Sequence, residues 1–108
     1  MGVRILVIGG DAAGMSAAHT ALRAAKVQGR EVTVTVLEAT SHTSYSACGI
    51  PYWIGGFVKD REALVARTPE AHRENGIDVR IRHEVVAIDL DQHEVVAHDL
   101  SSGGEVRE

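Results

Sequence analysis

The stretch Val3-Arg4-Ile5-Leu6-Val7-Ile8-Gly9-Gly10-Asp11-Ala12-Ala13-Gly14 decides the fold class. Val3 to Ile8 is almost uniformly apolar and rich in β-branched residues. It reads as a strand buried on both faces. Gly9-Gly10 punctuates it. Ala12 to Val27 is alanine-rich and free of Pro, and reads as a helix. Gly29 follows where a left-handed helix cap is wanted. Val32 to Leu37 repeats the buried-strand pattern. A strand, a glycine turn, a helix and a strand in under 40 residues make a βαβ unit. Residues 3–8 and 32–37 are therefore expected as adjacent parallel strands joined by a right-handed crossover.

The turn between them carries chemistry. In a Gly-x-Gly-x-x-Gly dinucleotide fingerprint the first glycine permits the tight turn. The second lets backbone approach a pyrophosphate, and the third lets helix and strand pack closely. Gly9 and Gly14 fill the first and third places. Asp11 stands in the middle place, and Gly10, one residue earlier, supplies some of the room. An Asp side chain should turn away from a pyrophosphate, since two anions repel. The N–H groups at the helix start, around Ala12 and Ala13, still offer a partial positive charge to a phosphate. Glu38 ends the second strand, 24 residues after Gly14. An acid there accepts hydrogen bonds from ribose hydroxyls.

Farther along, Ala39 to Ala47 is polar and reads as a loop. Pro51 suits the first turn of a short helix beginning near Cys48 and stopped by Gly55-Gly56. Tyr52 and Trp53 are expected to pack that helix against the sheet. Thr68-Pro69-Glu70 gives an N-cap, a proline at the first helical position and an acid at the positive end. Gly76 closes the helix. Asp78 to Arg82, Val85 to Leu90 and Glu94 to Leu100 read as strands, with Asp91-Gln92 as a two-residue hairpin turn and residues 101–104 as a further turn. In that register His83 faces Leu100 and His98 faces Val85. The fold class is thus α/β: an incomplete Rossmann-like domain, with a parallel βαβ core plus a C-terminal β-hairpin or meander.

Cys48 is the single cysteine. At a helix start its thiol would ionise more readily than a free one, and the thiolate is the nucleophile of disulfide exchange. The other reading is a buried cysteine acting as a small apolar residue. Here the sequence resembles a known family. Ser44-Tyr45-Ser46-Ala47-Cys48-Gly49-Ile50-Pro51-Tyr52-Trp53-Ile54-Gly55-Gly56 is similar to the redox-active segment of the single-cysteine pyridine nucleotide-disulfide oxidoreductases. These are the coenzyme A-disulfide reductases, NADH oxidases and NADH peroxidases. Gly9 to Ser16 resembles the glycine turn of the same branch, and the likeness runs over essentially all of the chain.

The resemblance implies a longer enzyme, of which residues 1–108 are the N-terminal part of an FAD-binding domain. It implies FAD as cofactor and NAD(P)H as hydride donor bound by a domain beyond this chain. Electrons would pass through Cys48 to a disulfide, coenzyme A disulfide above all. Thr43 stands where two-cysteine relatives carry the partner cysteine. Ala12 stands where oxidases and peroxidases carry a catalytic His, which favours the reductase. Ser44 matches a serine of the coenzyme A-disulfide reductases, whereas Ala47 departs from their asparagine. Coenzyme A contacts fall on positions matching Ser16, Thr20 and Arg23. The alternatives are a water-forming NADH oxidase of the same family and a catalytically silent nucleotide-binding module. A homodimer or other homo-oligomer is expected, since a sheet cut off from later strands exposes an edge.

Composition narrows the rest. With 11 Lys+Arg against 15 Asp+Glu the formal charge is −4, which disfavours a nucleic-acid partner. No apolar run approaches the ~20 residues of a membrane span, and no signal-peptide layout is present, so a cytoplasmic protein is expected. His19, His42 and His72 are scattered in sequence, and the hairpin histidines point to opposite faces, so no metal site is expected. Arg61, Arg67, Arg73, Arg80 and Arg82 read as a solvated surface.

Overall fold

The computed structural model describes residues 2–45 and 50–108. Strand β1 (Val3–Ile8) leads through the glycine turn into helix α1 (Ala12–Gln28), which ends at Gly29 in the left-handed conformation, φ 65°. Strand β2 (Val32–Leu37) lies parallel to β1, with Val3 opposite Val32 and Ile8 opposite Leu37. The βαβ reading therefore holds. After a loop come the short helix α2 (Ile50–Ile54) and a 3-10 turn (Arg61–Leu64) that the sequence did not announce. Helix α3 (Pro69–Glu74) follows, with the Thr68 hydroxyl accepting from the Ala71 N–H and Gly76 at φ 93°.

Strand β3 (Asp78–Arg80) departs from expectation. It does not join the C-terminal meander but pairs parallel with β2, giving the order β1-β2-β3. It is also shorter than expected, because Arg82 adopts φ 55° and turns the chain. Beyond it, β4 (His83–Asp89), β5 (Glu94–Asp99) and β6 (Glu105–Arg107) form an antiparallel meander.

The hairpin between β4 and β5 also differs. Four residues, 90–93, make the loop rather than two, with His93 in the left-handed region and Asp89 accepting from the Asp91 and Gln92 N–H groups. A bulge between Val85 and Ala87 then shifts the register by one, so His83 faces Asp99 and His98 faces Glu84. The bulge absorbs an extra residue that a uniform pairing could not foresee.

Alternation along β2 organises the core. Val34 and Val36 face α1, where they pack on Met15 and Ala18, with Ile77 and Val79 completing the cluster. Leu37 faces the other way and meets Val95 and Ala97 of the meander, with Leu6 and Val85 alongside. The parallel sheet thus carries a helix on one face and a second sheet on the other. Only β2 is buried as the sequence predicted. β1 is an edge strand among the described residues, and Val3 and Ile8 are about half exposed, 52% and 48%. Tyr52 and Trp53 do not pack against the sheet either. Both are exposed, and Tyr52 meets Phe57 edge-on.

Several arginines hold the structure together while their side chains still face solvent in part. Arg73 donates twice to the Val79 carbonyl, and Arg80 pairs with Asp78 and with Glu108, which also pairs with Arg4.

The tightest point is Gly14, where an added Cβ would lie 1.8 Å from the Gly9 carbonyl oxygen. Gly14→Ala is expected to lower stability by about 3 kcal/mol or more, at the upper end for overpacking, because backbone must yield. Ala13→Gly, next to it, should cost only about 0.5–1 kcal/mol. Chemical denaturation of the two variants checks the contrast.

Candidate functional site

Two pockets flank the start of α1. On one side, Asp11, Glu38, Thr40, His42 and Tyr45 line a space of about 340 Å³. On the other, α1 presents Ala12, Ser16, Thr20 and Arg23, a helical spacing that puts them on one face. With Met15, His19, Ser44, Ala66, Arg67 and His72 they line an open cavity of about 370 Å³.

The first pocket is built around Glu38. Its Oε1 accepts from the Gly10 N–H at 2.8 Å, and its Oε2 accepts from the Thr40 N–H and hydroxyl. Partial burial alone would raise the Glu38 pKa. The bonds from the Thr40 hydroxyl, the Gly10 N–H and the Thr40 N–H outweigh it and hold the carboxyl below its ordinary value. Three accepted bonds leave a carboxylate with roughly one more lone-pair site. Glu38 is thus a brace for the glycine turn as well as the candidate for a ribose. Sequence reasoning found the residue but not its partner, Thr40.

The turn itself is open to an anion. Gly9 adopts φ 98° with nothing within 4 Å of an added Cβ. Asp11 precedes α1 in an extended conformation, and its carboxylate caps nothing. Met15 N–H is the first to find a helical acceptor, at Asp11 O, so the N–H groups of Ala12, Ala13 and Gly14 have no intrahelical partner. This suits a pyrophosphate. The Asp11 side chain borders the Glu38 pocket.

The second cavity gathers the remaining candidates. Ser16, Thr20, Arg23 and Ser44 all line it. Ser44 is held firmly, at φ 49°, its N–H donating to Gly10 O and its carbonyl accepting from Ala66 N–H. Thr43 beside it is fully buried, and its hydroxyl donates to Arg67 O. Cys48 lies outside the described residues, as does the expected helix start there.

The histidines correct the sequence reading. His19 and His72 are not scattered in space: His19 Nε2 lies 2.8 Å from His72 Nδ1, and His72 Nε2 lies 2.9 Å from Ser44 Oγ. Burial lowers both histidine pKa values from 6.5. Arg67 and Arg23 add to this at His19, and His19 and Arg67 at His72. Both rings therefore give up their charge more readily than a free imidazole does. His19 could have been drawn from the sequence, since it shares the helix face of Ser16 and Arg23. No signal pointed to His72. Among the described residues no cluster of His, Cys, Asp and Glu is arranged to hold a metal. Nor is any described helix long and apolar enough to cross a membrane.

The family described as pyridine nucleotide-disulphide oxidoreductase matches residues 3–107. The chain belongs to that family. It is 34% identical over 102 residues to an NADH oxidase of Mycoplasma pneumoniae, covering 94% of this chain and 20% of the relative. It is 35% identical over 91 residues to a coenzyme A disulfide reductase of Staphylococcus haemolyticus, covering 82% and 20%. Among solved structures, reduced Bacillus anthracis CoADR-RHD superposes with a TM-score of 0.85 at 27% identity, over 100% of this chain and 19% of that one. The chain of this oxidoreductase family member thus spans about a fifth of the length of the relatives it matches.

Glu38→Gln tests the brace. A carboxyl whose pKa falls on folding stabilises the fold above its unfolded value, near 4.5, and that contribution fades as pH drops through the lowered value. The variant should lose about 1 kcal/mol at pH 7, allowing for its partial exposure. The gap to wild type should close toward pH 3. Urea unfolding across that range measures it.

Proposed function

We propose that this chain is the FAD-binding N-terminal part of an enzyme that moves electrons from NAD(P)H to a disulfide through Cys48, with coenzyme A disulfide as substrate. The observation that carries the reading is the cavity beside α1. The family resemblance implies coenzyme A contacts at Ser16, Thr20 and Arg23 and a catalytic place for Ser44, and all four line one space together. Arg23 offers a planar cation suited to a phosphate of the nucleotide end. The relatives include a coenzyme A disulfide reductase by name.

The residues at the glycine turn fit a dinucleotide. Gly9, Gly10, Asp11, Ala12, Ala13 and Gly14 would hold the pyrophosphate through backbone N–H groups, and Glu38 would accept from the adenosine ribose. When bound there, FAD supplies the relay that takes hydride from NAD(P)H and passes electrons to sulfur. The chain's own part is thiol chemistry. The Cys48 thiolate attacks one sulfur of the substrate disulfide, breaking its S–S bond. A Cys48–coenzyme A mixed disulfide forms and one coenzyme A thiolate leaves, taking a proton. Two electrons and a further proton then cleave the mixed disulfide, returning the Cys48 thiolate and a second coenzyme A thiol. The sum is one disulfide, one NAD(P)H and one proton giving two thiols and NAD(P)+.

The second reading is a water-forming NADH oxidase, favoured by the 34% identity to an NADH oxidase. Ala12 speaks against it, since that place would need a catalytic histidine. Assembly into a homo-oligomer and a cytoplasmic location belong to the same proposal. The exposed β1 edge supports pairing with further chain, whether from the same protein or another copy.

The test uses the full-length protein. Wild type should oxidise NAD(P)H with coenzyme A disulfide, and Cys48→Ser should keep its flavin absorbance yet lose that reaction. Retained activity in Cys48→Ser overturns the assignment. Rapid oxygen consumption by wild type, with coenzyme A disulfide ignored, installs the oxidase in its place. The 108 residues alone should show no NAD(P)H turnover.

A further inference from the structure

Ser44, His72 and His19 form a line of two hydrogen bonds in the wall of the α1 cavity. A neutral imidazole carries one N–H and one lone pair. Where His19 Nε2 meets His72 Nδ1, one nitrogen must donate and the other accept, and that choice fixes the rest of the line. If His72 donates from Nδ1, its Nε2 is bare and accepts the Ser44 O–H. Ser44 then shows the cavity only lone pairs. If His19 donates from Nε2, then His72 donates from its own Nε2 to Ser44 Oγ. The Ser44 hydroxyl hydrogen is then free to donate to whatever occupies the cavity.

We propose that His19 and His72 are positioning residues that set the Ser44 hydroxyl as donor or acceptor, and that they relay a proton through it to a thiolate leaving in the cavity. This rests on the reading that Ser44 acts with Cys48 on a disulfide. The relay balances. One proton enters at His19 Nδ1, the Nε2 proton of His19 moves to His72 Nδ1, and that of His72 Nε2 moves to Ser44 Oγ. The Ser44 proton passes to the thiolate, which becomes a thiol. Both rings are neutral before and after, each with its proton on the other nitrogen.

The surroundings favour this device over a stored charge. His72 is 1% exposed and both of its ring nitrogens are engaged. The groups facing the pair are cationic or neutral: Arg23 on α1, Arg67 ahead of α3, and Ser44 in the loop. They oppose a resident positive charge on either ring. His19 also borders a second pocket of about 290 Å³ with the exposed Lys26 and Asn75, which gives solvent a way in. Ser44 is fixed by two backbone bonds, so only its hydroxyl direction is left to choose.

The experiment uses the full-length protein with two readouts. Ring nitrogen NMR of histidine-labelled protein should show both rings neutral at pH 7 and the pair taking up its first proton jointly, below 6.5, as coupled groups do. His19→Gln should shift the His72 ring signals. In coenzyme A disulfide reduction, His72→Gln should lower kcat about ten- to a hundredfold, at or below the usual general acid–base contribution, with KM nearly unchanged. In a Ser44→Ala background the same change should add nothing. His19→Gln, on a helix face and away from the α3 core, repeats the test should His72→Gln fail to fold.

Rings that charge independently near 6.5 overturn the proposal, as does an equal kcat loss in both backgrounds. If Cys48→Ser abolishes activity while Ser44→Ala does not lower it, the relay falls and the thiol reading stands. If wild type reduces no coenzyme A disulfide, the thiol reading falls, and the ring titration and the His72 response to His19→Gln still decide the hydrogen-bonded line.

Discussion

The first turn of α1 crosses the Gly9 carbonyl so closely that only a hydrogen fits at Gly14, where a Cβ would sit 1.8 Å from the oxygen. A helix brought this near to the end of β1 cannot slide or rotate freely. Its register fixes which face Met15 and Ala18 bury against Val34 and Val36. The same register leaves Ala12, Ser16, Thr20 and Arg23 on the outward face that forms a cavity wall. It also aims the unpaired N–H groups of Ala12, Ala13 and Gly14 outward from the turn. The packing of the helix and the placing of those N–H groups therefore share one cause, and both would be lost together if the helix backed away from the strand.

Around that contact the structure ties its loops to the glycine turn instead of leaving them to solvent. Gly9 N–H donates to Leu37 O, Glu38 accepts from Gly10 N–H, and Ser44 N–H donates to Gly10 O. Strand β2, the acid after it and the serine loop all close on two consecutive glycines. Any side chain at Gly10 would press on Glu38 and Thr43 at 3.2–3.3 Å. The middle-place aspartate is tolerated because it sits one residue beyond this crowded point, at the exposed rim.

Much of this was legible in the sequence because it depends on local pattern. The β1-turn-α1-β2 order, the Gly29 cap, the Thr68-Pro69 helix start and the acid at position 38 each follow from residues close together in the chain. What escaped depended on distant partners. β1 reads as buried from composition, yet among the described residues it has a neighbour on one side only, so Val3 and Ile8 stay half exposed. β3 looked like part of the meander until the α3 crossover laid it beside β2. The bulge at Val86 moved every pair beyond it by one, a change no alternation pattern encodes.

The histidine pair shows the same limit at the site. Fifty-three residues separate His19 from His72. Their meeting requires α1 to be pinned by Gly14 and α3 to be seated by the β2–β3 pairing. His72 follows the proline start of α3 by three residues, which turns it inward, and burial then forces its ring nitrogens to find partners. Those partners are another imidazole and a hydroxyl, groups that can each donate or accept. A buried lysine or carboxylate at either end would have fixed one direction for good. With neutral rings and a serine, the fold satisfies every bond and leaves the direction of the hydrogens open.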